Sequence, residues 1–329
     1  MISVVTPTFR RPEEVQGLLQ NLAQQSLLPD EVILVDGAEP SETATEVAVK
    51  QYAPQMPFAV RYIRHGGGTA IQRNVGIDMA QGDLVAFIDD DVRLFPDFLQ
   101  TIEKIYSADP DRAIGGVVGY RANQHFTAAG SSRWRWYKRL RLLTVFEPGR
   151  YDYHAGYPIN NNLQPPFDGI RHVDFMTTAC SVWRREVFDS GLRFDPFFAD
   201  YGVLEDAHFA LRAGRTWRLV QAGDALCEEA HSPNGRANRR KLGYKCVVNY
   251  YYVFREIAGP LNRKQKLRFW QFQAFDFFRI AISAFRRRRW SDVEELGGRL
   301  EGAWHAIKGI PANGTEPRVE VEVVRAHQS

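Results

Sequence analysis

Three consecutive aspartates, Asp89, Asp90 and Asp91, follow an apolar run, Leu84–Ile88. A buried strand that stops in a carboxylate cluster gathers like charges, which raise one another's pKa unless a cation sits among them. Hard divalent ions such as Mg2+ and Mn2+ take oxygen ligands and share them with phosphates. The triplet therefore points to a metal–diphosphate site, with an acidic turn capping the next helix as the plainer alternative. Other groups with chemical potential lie elsewhere: Asp36 after Glu31–Val35, Arg73 behind Gly66-Gly67-Gly68, Glu205-Asp206 opening a helical stretch, and His231 after Ala225–Ala230. Each alone also has a structural reading: a strand-end turn, a surface charge, acids favoured by a helix dipole, a satisfied histidine.

The elements that must position these groups alternate along the first 120 residues. Ile2–Val5 is a β-branched run, and Val15, Leu18, Leu19 and Leu22 line one face of a helix from Pro12. Glu31–Val35 reads as a second strand, Ser41 caps a helix to about Tyr52, and Phe58–Ile63 is a third strand. A helix from about Thr69 to Ala80, the strand Leu84–Ile88, a helix over 95–107 and a strand over 114–119 follow. This alternation predicts an α/β fold, a Rossmann-like, mostly parallel sheet flanked by helices. Ligands of such sheets bind beyond the carboxyl ends of the strands, where Thr8, Asp36 and Asp89–Asp91 all fall, so one shared site is expected. Residues 121–172 read as irregular, Val173–Trp183 as a strand entering a short helix, and Leu204–Ala213 as helix. Trp217–Val220 and Ala225–Ala230 read as two short strands. From about Arg239 the chain reads as helices, and beyond Gly309 as a tail with an alternating segment, Val319–Val323.

The chain has 329 residues and a net charge of +3. Its three cysteines, Cys180, Cys227 and Cys246, have no metal-ligand spacing and fit a reducing compartment. The N-terminus runs straight into a strand without a signal-peptide pattern, and no apolar stretch is long enough to span a bilayer, so a cytoplasmic location is expected. Between Pro233 and Arg289 fifteen Lys/Arg face two acids, a charge of +13 that leaves −10 for the remainder. Such asymmetry suggests a polyanionic partner, and no nucleic-acid motif accompanies it. Leu267, Trp270, Ala274, Phe277, Phe278, Ala281 and Phe285 recur at helical spacing and are closed by Arg286–Arg289. Asp276 falls among the polar residues between them. An aromatic face with cationic flanks suits a helix lying in an anionic membrane interface, and peripheral binding at the inner face of the cell membrane through 236–290 is expected. The alternative is a core helix with solvated arginines. Arg236, Arg239, Arg240 and Lys241 form a basic loop suited to closing over a diphosphate, with a solvated charged loop as the alternative.

The order strand-Pro7-Thr8-Phe9-Arg10, Val35-Asp36-Gly37, Arg73-Asn74-Val75-Gly76 and Phe87-Ile88-Asp89-Asp90-Asp91 resembles that of family 2 glycosyltransferases of the GT-A fold. Phe194-Asp195-Pro196-Phe197-Phe198, leading to Tyr201-Gly202-Val203-Leu204-Glu205-Asp206, is similar to the stretch before that family's catalytic Glu-Asp pair. The resemblance covers residues 1–235. It implies a metal-dependent, inverting transfer from a nucleotide sugar to a glycan or lipid-linked acceptor. Pro7, Thr8 and Arg10 would line the nucleotide pocket, Asp36 would accept a hydrogen bond from the base, and Arg73 would hold nucleotide or phosphate oxygens. Asp89 and Asp91 form the D-x-D motif, Asp89 nearer the ribose and Asp91 on Mn2+ or Mg2+. Asp90, between them, is grouped with the donor site through its place in the turn. Asp206 would be the general base, Glu205 would orient its neighbours, and His231 matches a further metal ligand of some members. A UDP-sugar is the first expectation for the donor, with dTDP- and GDP-sugars behind it. Asp174, Thr178 and Trp183 are candidates for the acceptor pocket.

This implies a catalytic domain over 1–235, with a nucleotide half (1–120) and an acceptor half (121–235), a basic helical extension over 236–310 and a tail over 311–329. No G-x-x-x-x-G-K-[ST] or G-x-G-x-x-G loop occurs, which excludes a P-loop enzyme and a dinucleotide cofactor. The Q-x-x-R-W motif of processive synthases is absent, so single-sugar transfer in bacterial surface glycan or glycolipid synthesis is expected. A sugar-nucleotide pyrophosphorylase would carry a glycine-rich loop where Thr6-Pro7-Thr8-Phe9-Arg10 stands. A non-catalytic membrane scaffold with a decayed transferase domain would be expected to have lost Asp91 or Asp206.

Overall fold

A computed structural model describes residues 1–124, 128–199, 202–230, 238–309 and 322–323. In chain order the elements are β1 (Ile2–Thr8), α1 (Pro12–Leu22), β2 (Glu31–Asp36), α2 (Ala44–Tyr52), β3 (Ala59–Arg64), α3 (Thr69–Met79), β4 (Leu84–Ile88), β5 (Val92–Leu94), α4 (Phe98–Ser107) and β6 (Ile114–Arg121). They continue with α5 (Ala128–Arg139), β7 (Tyr151–Asp152), β8 (Tyr157–Pro158), β9 (Ile170–His172), β10 (Cys180–Arg184), α6 (Arg185–Asp189), α7 (Glu205–Ala213) and β11 (Arg218–Glu229). Three long helices, α8 (Arg239–Ala258), α9 (Arg263–Arg287) and α10 (Trp290–Lys308), and a two-residue strand, β12 (Glu322–Val323), complete the set. The chain divides into two compact units, one of residues 1–125, 164–235 and 315–329, the other of residues 126–163 and 236–314. Residues 126–163, which in the sequence adjoin the sheet elements, thus group with the C-terminal helices.

In the first unit the described strands form a ten-stranded α/β sheet in the order β12-β3-β2-β1-β4-β10-β6-β11-β5, with β9 beside β11. Strands β3, β2, β1 and β4 are mutually parallel, and every residue of β1, β2 and β4 is buried. A strand covered on both faces reads as a continuous apolar run, which is why these three are visible in the sequence. The register pairs Thr8 with Asp36 and Val5 with Phe87, so the ends of β1, β2 and β4 line up. Gly67 and Gly68, with φ of 100° and 90°, turn the chain into α3 through backbone conformations that only glycine adopts cheaply. At Gly76 a Cβ would lie 2.2 Å from Val5 Cγ1, so the missing side chain lets α3 press directly onto β1. This contact places Gln72 and Arg73, one turn earlier, over the strand ends.

Two regions differ from the sequence reading. Trp217–Val220 and Ala225–Ala230 are not separate strands; they belong to the single β11, whose register against β6 shifts between Gln221 and Leu226. Gly223-Asp224 looks like a break, yet the Gly223 amide donates to Gly169 O at 2.8 Å and the strand continues through an irregularity. Residues 121–172 are not wholly irregular, since they contain α5 and three short strands. The Gly-Ser-Ser of α5 has low helix propensity and hides the helical pattern there.

In the second unit, α8 and α10 meet backbone to backbone. A Cβ on Gly243 would lie 2.1 Å from Glu295 O, and one on Gly298 would lie 1.9 Å from Arg240 O. Phe272 of α9 packs with Tyr137, Leu142, Leu143 and Ile159. Asp276 is not a solvated residue between apolar ones. It is buried, accepting from Tyr137 OH at 2.8 Å and Arg279 Nε at 3.1 Å and pairing with Arg133 at 3.3 Å. Burial works against its charge, but Arg133 and Arg279 outweigh it and hold the carboxyl below its usual range.

Gly76→Leu will overpack the α3–β1 contact. It is expected to lower unfolding stability by about 1–3 kcal/mol, measured by urea denaturation. Unchanged stability would show that α3 does not rest on β1 through Gly76.

Candidate active site

The site grows from the β1, β2 and β4 ends. Thr8 Oγ1 donates to Asp90 Oδ2 at 2.7 Å, and Arg11 Nη1 donates to Asp90 Oδ1 at 2.6 Å. Arg11 Nη1 also stands 3.7 Å from Asp91 Oδ2. Gln72 Nε2 donates to Thr8 O at 2.9 Å and Val35 O at 2.7 Å, tying the ends of β1 and β2 together beneath α3. Asp90 is therefore the buried, doubly held member of the triplet. Burial pushes its carboxyl up to about 6, against the pull of Arg11 and Thr8.

Arg73 is the second organiser. Its Nη2 donates to Asp89 Oδ1 at 2.9 Å and its Nη1 to Glu205 Oε1 at 3.1 Å, joining the end of β4 to the first turn of α7. Burial opposes the guanidinium charge, but Asp89 and Glu205 overcome that and raise its pKa further. Among the described residues, Arg73 Nε is buried without a hydrogen-bond partner. The neighbouring Asn74 holds Phe194 by two reciprocal bonds of 2.8 Å, and Arg73 lies 5.7 Å from the Phe194 ring centroid. Phe194 stacks on Phe209 of α7 at 4.4 Å and meets Phe87 of β4 edge-on at 5.4 Å. This aromatic column sets α7 against the sheet.

Asp206 follows Glu205 in the first turn of α7, after Leu204 in a left-handed conformation (φ 69°) that branched aliphatic side chains rarely adopt. Asp206 is partly exposed, and its Oδ1 accepts from the Ala207 amide at 2.7 Å. Removal from water and the adjacent Glu205 charge push its carboxyl up to about 7, while Arg73 and Arg121 pull the other way. A carboxyl that titrates near neutrality is matched to proton transfer.

The remaining expected residues are placed as follows. Pro7 is buried in β1. Arg10 adopts φ 56°, is exposed, and donates from Nε to Glu42. Asp36 is fully buried and accepts from Tyr62 OH at 2.7 Å and the Ala38 amide at 2.9 Å. His231 lies outside the described residues. Trp183, expected near the acceptor, is instead a core residue: β10 lies between β4 and β6, and its indole packs edge-on against Phe209 at 4.9 Å. Thr178 is buried, and Asp174 lies 3.7 Å from His172. The sequence reading missed Arg11, Gln72 and Tyr62, and quoted Gly202 only within the stretch before Glu205-Asp206. Arg11 is a cation directly after the β1 loop, a detectable signal. Gly202, where a Cβ would lie 2.5 Å from the Glu205 carboxylate carbon, shows its purpose only in three dimensions.

Residues 3–190 match the family model described as "Glycosyl transferase family 2". The chain belongs to that family and is a glycosyltransferase of the GT-A fold; Glu205 and Asp206 lie beyond the matched segment. The "Uncharacterized glycosyltransferase YwdF" of Bacillus subtilis is 27% identical over 248 residues, 74% of this chain and 79% of the relative. The "Succinoglycan biosynthesis protein ExoM" of Rhizobium meliloti is 35% identical over 123 residues, 36% of this chain and 38% of the relative. Among solved structures, the mannosyltransferase PcManGT of Pyrobaculum calidifontis, in complex with GDP-Man and Mn2+, has a similar fold. Its TM-score is 0.54 at 17% identity, covering 92% of this chain and 87% of that one.

The raised pKa of Asp206 has a consequence for stability. An unfolded aspartate releases its proton near pH 4, whereas the folded one keeps it until about 7, so stability falls as pH rises through that window. Asp206→Asn cannot ionise. It is expected to match the parent at pH 4 and to be more stable at pH 8 by on the order of 2 kcal/mol, allowing for solvent screening. Denaturant titrations at the two pH values check this; a pH-independent difference would contradict it.

Proposed function

We propose that this glycosyltransferase moves a sugar from a nucleotide-diphosphate sugar to a hydroxyl of a glycan or lipid-linked acceptor, by metal-dependent single displacement with inversion, in bacterial surface polysaccharide or glycolipid synthesis. The observation that carries the reading is the Asp89–Arg73–Glu205 bridge, which draws the carboxylates of the strand ends toward the first turn of α7. The naming of ExoM for succinoglycan biosynthesis supports the substrate class. The GDP-Man and Mn2+ complex of PcManGT is a precedent for the donor and metal. A UDP-sugar is the first choice of donor here, ahead of dTDP- and GDP-sugars.

In this reading Asp206 takes the proton of the acceptor hydroxyl as its oxygen bonds to the anomeric carbon. The bond from that carbon to the diphosphate breaks on the opposite face, and the nucleoside diphosphate leaves. Glu205 fixes Arg73, and Arg73 fixes Asp89 on the ribose side of the donor. Thr8 and Arg11 hold Asp90, so that Asp90 shapes the turn that presents Asp89 and Asp91. Pro7, Thr8, Arg10 and Asp36 frame the nucleotide, with Asp36 sharing an oxygen already held by Tyr62 or Ala38.

The donor set suits a hard divalent ion: Asp89 is one-third exposed at the side chain, and Asp91 offers a second carboxylate on the same turn. Among the described residues no group of three or more His, Cys, Asp or Glu is arranged to hold a metal. Mg2+ or Mn2+ would be bound by one or two carboxylates and completed by substrate phosphates, with His231 as a further candidate ligand. Such an ion, when bound, neutralises charge developing on the leaving diphosphate. Residues 1–235 would act as the catalytic domain, with 236–310 as a basic extension binding an anionic membrane at the inner face of the cell membrane and 311–329 as a tail.

Asp206→Asn is expected to lower transfer by about 10²–10⁴-fold and Asp91→Asn to abolish the response to added Mn2+ or Mg2+. Nucleoside-diphosphate release from a panel of nucleotide sugars measures both. If both variants kept full activity, the mechanism would be wrong.

A further inference from the structure

Helices α9 and α10 are apolar on two opposite faces. On α9 the inward side carries the buried Phe269, Phe272, Ile280 and Ala284, while about half a turn away Phe278, Ile282 and Phe285 are 65%, 59% and 87% exposed. On α10 the inward side carries Gly298, Gly302 and Ala306, while Leu300, Trp304 and Ile307 face outward at 60%, 57% and 68%. Rows of large apolar side chains left this open mark an interaction surface. Neither helix is long and apolar enough to cross a bilayer.

The charges say what covers them. Arg286, Arg287, Arg288 and Arg289 are exposed at the α9–α10 corner, beside Phe285 and Trp290. From Arg263 to Arg289 the only acid is Asp276, and it is buried and paired with Arg133 and Arg279. On α10 the exposed Glu301 pairs with Arg240, Glu294 is exposed, and the Lys308 ammonium sits 4.2 Å from the Trp304 ring centroid. A second copy of α9 laid against this face would set arginines against arginines. A sheet of anionic lipid headgroups would neutralise them while its acyl boundary accepts the aromatic and aliphatic rows.

We infer that the outward faces of α9 and α10, pinned at the Arg286–Arg289 corner, form one surface that lies in the interface of an anionic membrane. This deepens the membrane reading given above and rests on it, by naming which faces of the 236–310 extension meet the lipid.

The test uses the full chain with phosphatidylcholine vesicles, with and without about one-third phosphatidylglycerol. Co-sedimentation with the anionic vesicles and not the neutral ones is expected. Neutralising all four arginines (R286Q, R287Q, R288Q, R289Q) is expected to weaken binding at least tenfold, since each basic residue near such a surface contributes about fivefold. Phe285→Ser with Trp304→Ser is expected to do the same with an unchanged thermal melt, and both variants should keep their transfer to a soluble acceptor. If the parent ignores anionic vesicles, the membrane reading fails and this surface with it. Vesicle binding that survives both variants would leave that reading standing and overturn this surface. A concentration-dependent dimer lost in the Phe285→Ser, Trp304→Ser variant would assign the face to a second copy and overturn it too.

Discussion

One guanidinium group holds together two parts of the chain, Asp89 and Glu205, that are 116 residues apart. Arg73 reaches Asp89 at the end of β4 and Glu205 at the start of α7, and without it two carboxylates would face each other across the site with no direct cation between them. Removing one partner of a buried charge pair leaves the other uncompensated, a loss of several kcal/mol, so this bridge is expensive to break. The geometry around it follows from that requirement. Gly76 brings α3 close enough to β1 for Arg73 to reach, Asn74 clamps Phe194 beside it, and Gly202 leaves room for the Glu205 carboxylate. Four neighbouring residues, Arg73-Asn74-Val75-Gly76, thus carry a bridge, a clamp and a close approach within little more than one helical turn.

Much of this was readable in the sequence because both faces of β1, β2 and β4 are covered. Continuous apolar runs ended by polar residues reveal such strands and mark their carboxyl ends, and the polar residues there proved to be neighbours. Longer-range consequences were not readable. That Asp36 is enclosed by Tyr62, or that Trp183 is a core residue, depends on which strand pairs with which, and β10 pairs antiparallel with β4 across almost a hundred residues of sequence. Arg11 illustrates a different limit. Its charge was visible, but its target in the middle of the aspartate triplet was set by the turn, and the triplet alone does not say which aspartate is held and which are presented.

The second unit shows where periodicity succeeds and where charge misleads. Of the row Leu267, Trp270, Ala274, Phe277, Phe278, Ala281 and Phe285, the residues Leu267, Phe278 and Phe285 are exposed, whereas Trp270 packs against the cluster of Phe254, Leu261 and Phe269. Asp276 sits in that pattern like an ordinary surface acid, yet it is the buried partner of Arg133, Arg279 and Tyr137. Arg133 and Tyr137 come from α5, which low-propensity residues concealed, so the carboxylate lost its context along with the helix.

The distribution of cations among the carboxylates also separates their capacities. Arg11 faces Asp90 and Asp91, and Arg73 is spent on Asp89 and Glu205. Among the described residues no cation pairs directly with Asp206, which feels Arg73 and Arg121 only at longer range. Removal from water and the adjacent Glu205 raise the Asp206 carboxyl to about 7, and burial raises Asp90 to about 6 even though Arg11 is bonded to it. In the proposed mechanism the acids at the strand ends would hold charge against a cation or a phosphate-bearing donor, and Asp206 would receive the proton. Arg73 binds Glu205 and, among the described residues, leaves Asp206 without a bonded cation, while its charge works against the rise that burial and Glu205 produce at Asp206.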